Sequence, residues 1–329
     1  MVVKSSSQPV ITKTSGSFSN NKIVHIFGRN FSSKIPAAPM VWADFSTDIN
    51  PSIFGCRTSW DEIQNLKRIT NLPEGAGTNN GVVGIWNSVT APARSFSFSI
   101  NHFYYQKIYQ FGKRYYDFPT TTNQKMWRLN NLPGQMTADP VITYGNHEWL
   151  AHLNECDTEN PDRFSYIQYN HAQWMTEEFI WQFSGGSGLR PNGQLGAGGT
   201  GIMEYIRDGK RIFRQENQNN CTNNQVELRY FDNFTPSNIP TDTPATGSKV
   251  YMTFLYGDTV YNRVMIGNQA TLKESIQREI QVPQTWSDSV ISIVINQGTF
   301  ATDTMAYLFV VDAHNVSSSG IQLTFGKWR

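Results

Sequence analysis

The chain has 329 residues, a formal net charge of +1 and only 16% charged residues. That length suits one large or two ordinary domains, and the near-neutral balance gives no electrostatic basis for binding nucleic acid or an anionic membrane. No run of about 18 apolar residues is present, so no helical membrane insertion is expected.

The opening stretch, MVVKSSSQPVITKTSG, lacks the apolar core of a secretory signal. The three cysteines, Cys56, Cys156 and Cys221, are far apart and in no metal-ligand spacing. Free thiols made in a reducing compartment are the expectation. Asn-x-Ser/Thr triplets begin at Asn30, Asn220, Asn233 and Asn315, and are read as chance in so Asn-rich a chain.

In chain order, Pro9–Lys13 and Lys22–Phe27 read as short strands around a Gly/Ser/Asn turn. Ser59 with Glu62 three residues on forms a capping-box pattern, and Trp60, Ile63 and Leu66 share a helical stripe, so one short helix is predicted there. Residues 71–84 read as a loop. Strands then come densely. Ser95–Ile100 alternates cleanly, with Phe96, Phe98 and Ile100 inward, and Phe103–Phe111, Lys125–Leu129 and Val141–Tyr144 follow.

The stretch from Phe164 to Gln215 is the expected middle of the largest sheet. Met175, Phe179 and Trp181 fall on one face of Trp174–Gln182 and Trp174, Thr176 and Glu178 on the other, as in a strand with one face on a core. Asp208-Gly209 joins Ile202–Arg207 to Lys210–Gln215 and signals a two-residue type I′ hairpin. Val226–Phe234, Lys249–Tyr256 and Asn262–Met265 complete the middle of the chain. So many short strands with almost no helix predict an all-β protein of sandwich or jelly-roll type.

Two resemblances refine that. The order P-V-I-T, G-S-F, K-I-V-H-I-F-G-R-N-F resembles the opening of the immunoglobulin-like IPT/TIG domains, with Gly28 and Phe31 at the family's spacing. The remainder of such a domain resembles T-W-S-D-S-V-I-S-I-V-I and A-Y-L-F-V-V-D-A-H-N-V-S-S-S-G-I-Q-L-T, within residues 279–325. The period agrees, since Ile291, Ile293 and Ile295 alternate along one face and Tyr307–Val311 is an apolar run before a turn at Ser317–Gly320. These resemblances imply an Ig-like β-sandwich in two segments, residues 1–38 and 270–329, around an insert, 39–269. Within the insert, W-x-x-E-E-F, G-G-S-G and G-I-M-E-Y-I-R-D-G-K resemble the concanavalin A-like (laminin-G-like) jelly rolls, which implies two stacked, curved antiparallel sheets.

A glycosidase needs two carboxyl groups about 5–9.5 Å apart across a cleft. Glu177 and Glu178 are adjacent on a strand and point to opposite faces, whereas Glu177 and Glu204 meet only if the sheet order brings them together. The E-x-D-x-x-E cluster of the laminarinase-like relatives is absent. Glu227-Leu228-Arg229 matches a fragment of the alginate-lyase R-x-E-L-R strand, without its first Arg or a Q-I/V-H strand. No catalytic residue is therefore assigned.

His147 and Trp149 lie in the most site-like stretch, Gly145–Trp149. His152, Glu155 and Asp157 have no metal-like repeat, and no metal site is assigned. Asp157, Asn160 and Asp162 could ligate calcium, as the resemblance to concanavalin A-like jelly rolls allows, but they lack EF-hand spacing, so no cofactor is assigned and calcium stays the one alternative. The Gly185–Gly201 run is not a phosphate cradle, because no Lys-Ser/Thr follows its glycines.

Trp127, Trp149 and Trp174 are candidate exposed rings for stacking on sugars or anchoring an interface. Arg207, Lys210, Arg211 and Arg214 crowd one hairpin, where they could hold an acidic sugar or a subunit's carboxylates. A charged sheet edge that resists aggregation explains them equally.

The expectation is a non-enzymatic surface or assembly protein that docks through one sandwich and presents the other to glycan or to other subunits. Such module combinations resemble virion components of tailed phages, either head decoration or tail-associated proteins. That resemblance implies synthesis in a host cytoplasm, other virion proteins or a second copy of the chain as partners, and cell-surface polysaccharide as a further one. The alternative is a polysaccharide-degrading lyase or glycanase, secreted to the extracellular space or borne on a tail.

Overall fold

Period-two patterning over most of the chain favours extended backbone whose alternate side chains leave water. In the computed structural model, every regular element among the described residues is a β-strand. The structure describes residues 7–44, 66–76, 81–85, 93–97, 101–111, 123–125, 127–131, 135–138, 141–142, 149–150, 165–166, 173–182, 201–218, 225–230, 233–234 and 249–327.

The chain opens with β1 (Val10–Gly16) and β2 (Ile23–Arg29). Next come β3 (Val41–Asp44), β4 (Leu66–Ile69), β5 (Gly81–Ile85), β6 (Ala93–Ser97) and the long β7 (Asn101–Phe111). Short strands follow: β8 (Asn123–Lys125), β9 (Trp127–Asn131), β10 (Gln135–Ala138), β11 (Val141–Ile142), β12 (Trp149–Leu150) and β13 (Ser165–Tyr166). The centre holds β14 (Trp174–Gln182), β15 (Gly201–Arg207), β16 (Lys210–Gln218), β17 (Gln225–Tyr230), β18 (Asn233–Phe234) and β19 (Lys249–Asp258). The chain closes with β20 (Arg263–Gly267), β21 (Arg278–Trp286), β22 (Val290–Val294), β23 (Met305–Val311) and β24 (Ile321–Thr324).

Strands from the two ends of the chain share one path, β1-β2-β22-β21-β20-β23-β24. β21 serves two neighbours, with Arg278–Gln281 beside β20 and Val282–Trp286 beside β22. A register shift between Pro283 and Thr285 marks the transition, and a bulge is where a strand tolerates proline. The path therefore folds on itself. Ile11, Val24, Ile26, Ile291 and Ile293 from one arm pack with Val264, Ile266, Leu308, Val310 and Leu323 from the other.

The loop after β2 and the start of β22 interlock. Phe31 N donates to Asp288 O, Ser32 N to Asp288 Oδ1 at 2.9 Å, and Trp286 Nε1 to Ser32 O at 3.0 Å. Gly28 is required here, because a Cβ would lie 2.0 Å from Val10 O and 2.4 Å from the Phe31 ring. The W-S-D and G-R-N-F motifs are thus two sides of one junction.

The central strands form a larger sheet, β16-β15-β14-β7-β19-β5-β4, with β3 also paired to β19. Its hairpin matches expectation. Asp208 and Gly209 have φ of 46° and 70°, the left-handed pair a type I′ turn needs. Smaller sheets, β10-β9-β17-β6, β11-β8-β18 and β12-β13, account for the remaining strands described.

One face of the large sheet lies on the terminal strands. Phe103, Tyr105, Ile180, Ile206, Phe254 and Tyr256 pack against Met265, Ile280, Val282, Phe309 and Val311. The single-faced reading of Trp174–Gln182 is corrected by this packing. Met175, Glu177, Phe179 and Trp181 are buried on one face, and Glu178 and Ile180 are buried on the other. A strand covered on both faces loses the alternation that solvent imposes.

Leu66 opens strand β4 instead of ending a helix, and the rest of the predicted helix, with Ser59, Trp60, Glu62 and Ile63, lies outside the described residues. Phe98 and Ile100 also lie outside them, as do Cys56, Cys156 and Cys221.

Candidate functional site

Register decides which carboxylates can cooperate. Glu177 is opposite Arg207, Glu178 opposite Ile206, and Ile180 opposite Glu204. Glu178 and Glu204 therefore share the face turned to the terminal strands, while Glu177 points the other way. Glu177 and Glu204 are not brought together.

Each of the three is buried and bonded. Tyr205 Oη donates to Glu177 Oε1 at 2.5 Å. Glu204 accepts from Arg211 Nε and Arg214 Nη1, both at 2.5 Å. Glu178 Oε1 accepts from Arg278 Nη1 at 2.9 Å, with both side chains at most 4% exposed. Carboxylates this buried persist when partners satisfy their charge.

Arg278 is the hub of the contact between layers. Its Nε donates to Ser275 O at 2.7 Å, and its Nη2 donates to Leu272 O at 2.5 Å and Gly209 O at 3.1 Å. One guanidinium fork thus ties β14, the 208–209 hairpin and the 271–278 turn. The hairpin is clamped from its other side. Thr176 N donates to Asp208 Oδ1, and Asp208 N donates to Thr176 O, each at 2.9 Å. Burial raises the Asp208 carboxyl above its ordinary value, opposed by the Thr176 bonds and the Arg207 charge.

Three further buried networks join the layers. Tyr105 Oη shares its proton between Arg278 O at 2.9 Å and Glu279 Oε2 at 3.0 Å, and Thr299 N and Oγ1 both donate to Glu279 Oε1. Burial, then the Glu279 charge, raises the Tyr105 phenol well above 10.0. Arg263 lies 4.0 Å over the Phe103 ring and donates to Tyr261 O and Asn315 Oδ1; burial lowers it to about 10. Lys34 Nζ meets Asp258 Oδ2 at 2.6 Å and Tyr256 Oη at 3.2 Å.

The sequence-derived candidates divide accordingly. Trp174 is half-buried, with its indole N–H donated to Pro73 O at 3.2 Å and its ring on Tyr251, which corrects its reading as an exposed stacking platform. Arg207 is half-buried with Nη1 at Met175 Sδ, and Lys210 is exposed. Arg211 and Arg214 serve Glu204, and Arg214 also reaches Glu216. For Arg214, burial is outweighed by the bonds from Glu216 and Glu204, so its affinity for the proton rises. Two of the four basic residues are therefore bound within the hairpin.

Trp127 and Trp149 begin β9 and β12. His147, His152, Glu155, Asp157, Asn160, Asp162 and the 185–200 glycine run lie outside the described residues. Glu227–Arg229 lie within β17. Among the described residues, no group of three or more His, Cys, Asp or Glu is placed to hold a metal ion. Sequence reasoning passed over Lys34, Asp258, Arg263, Arg278 and Glu279. For the last four the signal was charge on a strand, as in Arg263-Val264-Met265-Ile266, a pattern that demands a buried partner, whereas Lys34 lies in the loop after β2 without that signal.

No family model matches the chain, and no curated protein matches it. Solved structures of similar fold include the endo-beta-1,4-glucuronan lyase from the fungus Trichoderma reesei, at 9% identity and TM-score 0.43, covering 68% of this chain and 96% of that one. The marine PL-14 alginate lyase from Aplysia kurodai has 6% identity and TM-score 0.38, covering 59% of this chain and 86% of that one. The Emp46p carbohydrate recognition domain has 9% identity and TM-score 0.34, covering 67% of this chain and 96% of that one. Likenesses this distant assign no activity.

Proposed function

We infer that the chain is a non-enzymatic structural and binding protein. The carrying observation is that β14 is buried on both faces, with Glu177, Glu178 and Glu204 each buried and committed to a partner side chain. Acid–base work on a polysaccharide needs such groups to face a cleft that substrate can enter.

The reading divides the chain into a docking sandwich built from both termini and a presenting part between them. β20 belongs with the docking part, because it pairs with β21 and β23. The presenting part meets glycan or neighbouring subunits, and Lys210 with the side chains around it is one contact region. The finer reading is a head-decoration or tail-associated component of a tailed-phage virion, made in the host cytoplasm, with other virion proteins or its own copies as partners. It rests on the module combination read from the sequence.

The test incubates the purified chain with neutral and uronate-containing polysaccharides and measures both retention and product release. Retention on at least one polysaccharide without shortened products is the expected result. Release of shortened or unsaturated products would replace this reading with a glycanase or lyase.

A further inference from the structure

We propose that Lys34 and Asp258 are the two halves of an intramolecular isopeptide bond, formed autocatalytically once the chain has folded. Lys34 belongs to the loop after β2, and Asp258 ends β19 in the central sheet. Their Nζ and Oδ2 atoms are 2.6 Å apart, and both side chains are at most 2% exposed. The carboxyl carbon lies one covalent bond behind that oxygen, so amine and electrophile are held in near-attack range. Orientation of this kind replaces the high concentration a bimolecular condensation would need, on the order of 10⁵–10⁸ M for well-placed pairs.

The groups around the pair fit the chemistry. Thr259 N donates to Asp258 Oδ1 at 2.9 Å, which places a backbone N–H on the oxygen that becomes the oxyanion and then the amide carbonyl. Tyr256 Oη accepts from Lys34 Nζ at 3.2 Å and donates to Asp258 Oδ2 at 3.4 Å, so one phenol touches both proton donor and leaving oxygen. The Tyr256 and Trp286 rings lie 5.8 and 5.6 Å from Nζ and wall the amine from water. Transfer of one proton from Nζ to Oδ2 within the pair frees the amine lone pair that attacks.

In the step, the Nζ lone pair attacks Cγ and the N–C bond forms. The Cγ–Oδ2 bond breaks, and Oδ2 departs as water. Of the three ammonium protons, one stays on the amide nitrogen and two leave with Oδ2, one of them relayed by Tyr256. Charge balances, nothing is oxidised or reduced, and the product replaces two buried charges with one neutral amide.

The bond would join the terminal strands covalently to the central sheet, which suits a protein that must survive mechanical or environmental stress. Intact-mass measurement of the denatured full chain tests it directly. The chain is expected to be lighter than its sequence mass by one water. Trypsin should fail to cut after Lys34, giving a branched peptide that joins Lys34 to Asp258. Lys34→Met and Asp258→Ala should restore the sequence mass, and Tyr256→Phe should slow the loss after refolding. A wild-type chain at full sequence mass after prolonged incubation, with normal cleavage after Lys34, overturns the proposal and leaves a plain ion pair. The wild-type measurements decide this even if no variant folds.

Discussion

Removing the Arg278 fork should separate the two layers energetically. Arg278→Met leaves Glu178 buried and without its cation, and takes the donor from Ser275 O, Leu272 O and Gly209 O. Breaking one side of a buried ion pair costs about 3–5 kcal/mol. Loss of the donor to the Ser275 and Gly209 carbonyls adds up to about 1 kcal/mol each where water cannot reach them, whereas Leu272 O keeps Ser275 N as a donor. Arg278→Lys keeps a charge but not the fork, and should cost about 1–2 kcal/mol. The double variant Arg278→Met, Glu178→Met removes both charges and should recover most of the loss. Urea unfolding followed by tryptophan fluorescence measures all three. An Arg278→Met variant within about 0.5 kcal/mol of wild type, or a double variant no better than the single, would refute the role given to this pair.

Gly209→Ala places a Cβ 1.9 Å from Ser275 O at a φ of +70°, so a thermal melt should show a loss of at least about 1–3 kcal/mol. Tyr105 keeps its proton in the fold above the pH at which the unfolded chain releases it, at 10.0. Its contribution is therefore complete below pH 10.0 and fades as pH rises beyond it, by about 1.4 kcal/mol per pH unit. Tyr105→Phe should lower stability at neutral pH yet flatten that alkaline decline in pH-dependent urea titrations. Arg211→Ala alone should cost less than about 1 kcal/mol, because its side chain is 57% exposed. Losing Arg214 as well strips Glu204 of both cations and should cost more than the sum of the single changes, as a double-mutant cycle will show.

Local chemistry was legible in the sequence and long-range partnership was not. Asp208-Gly209 specifies its turn through left-handed φ values that neighbouring residues cannot alter. Ile291, Ile293 and Ile295 show their buried face by period alone. Glu178 looked like a solvent-facing residue because its partner, Arg278, lies 100 positions away and nothing nearby announces it. Glu204 had its arginines within reach in sequence, and the hairpin signal could have paired them. Trp174 misled because an aromatic at a strand start reads alike whether its N–H meets water or Pro73 O. The Glu177–Glu204 question needed the register of β14 on β15, which no single-strand pattern contains.

The claim that this chain is a non-enzymatic part of a larger assembly is tested most directly by sedimenting the native protein from its source lysate, with detection by mass spectrometry. Recovery only in the large-particle fraction is the expected result. Recovery as a free, small species would contradict it.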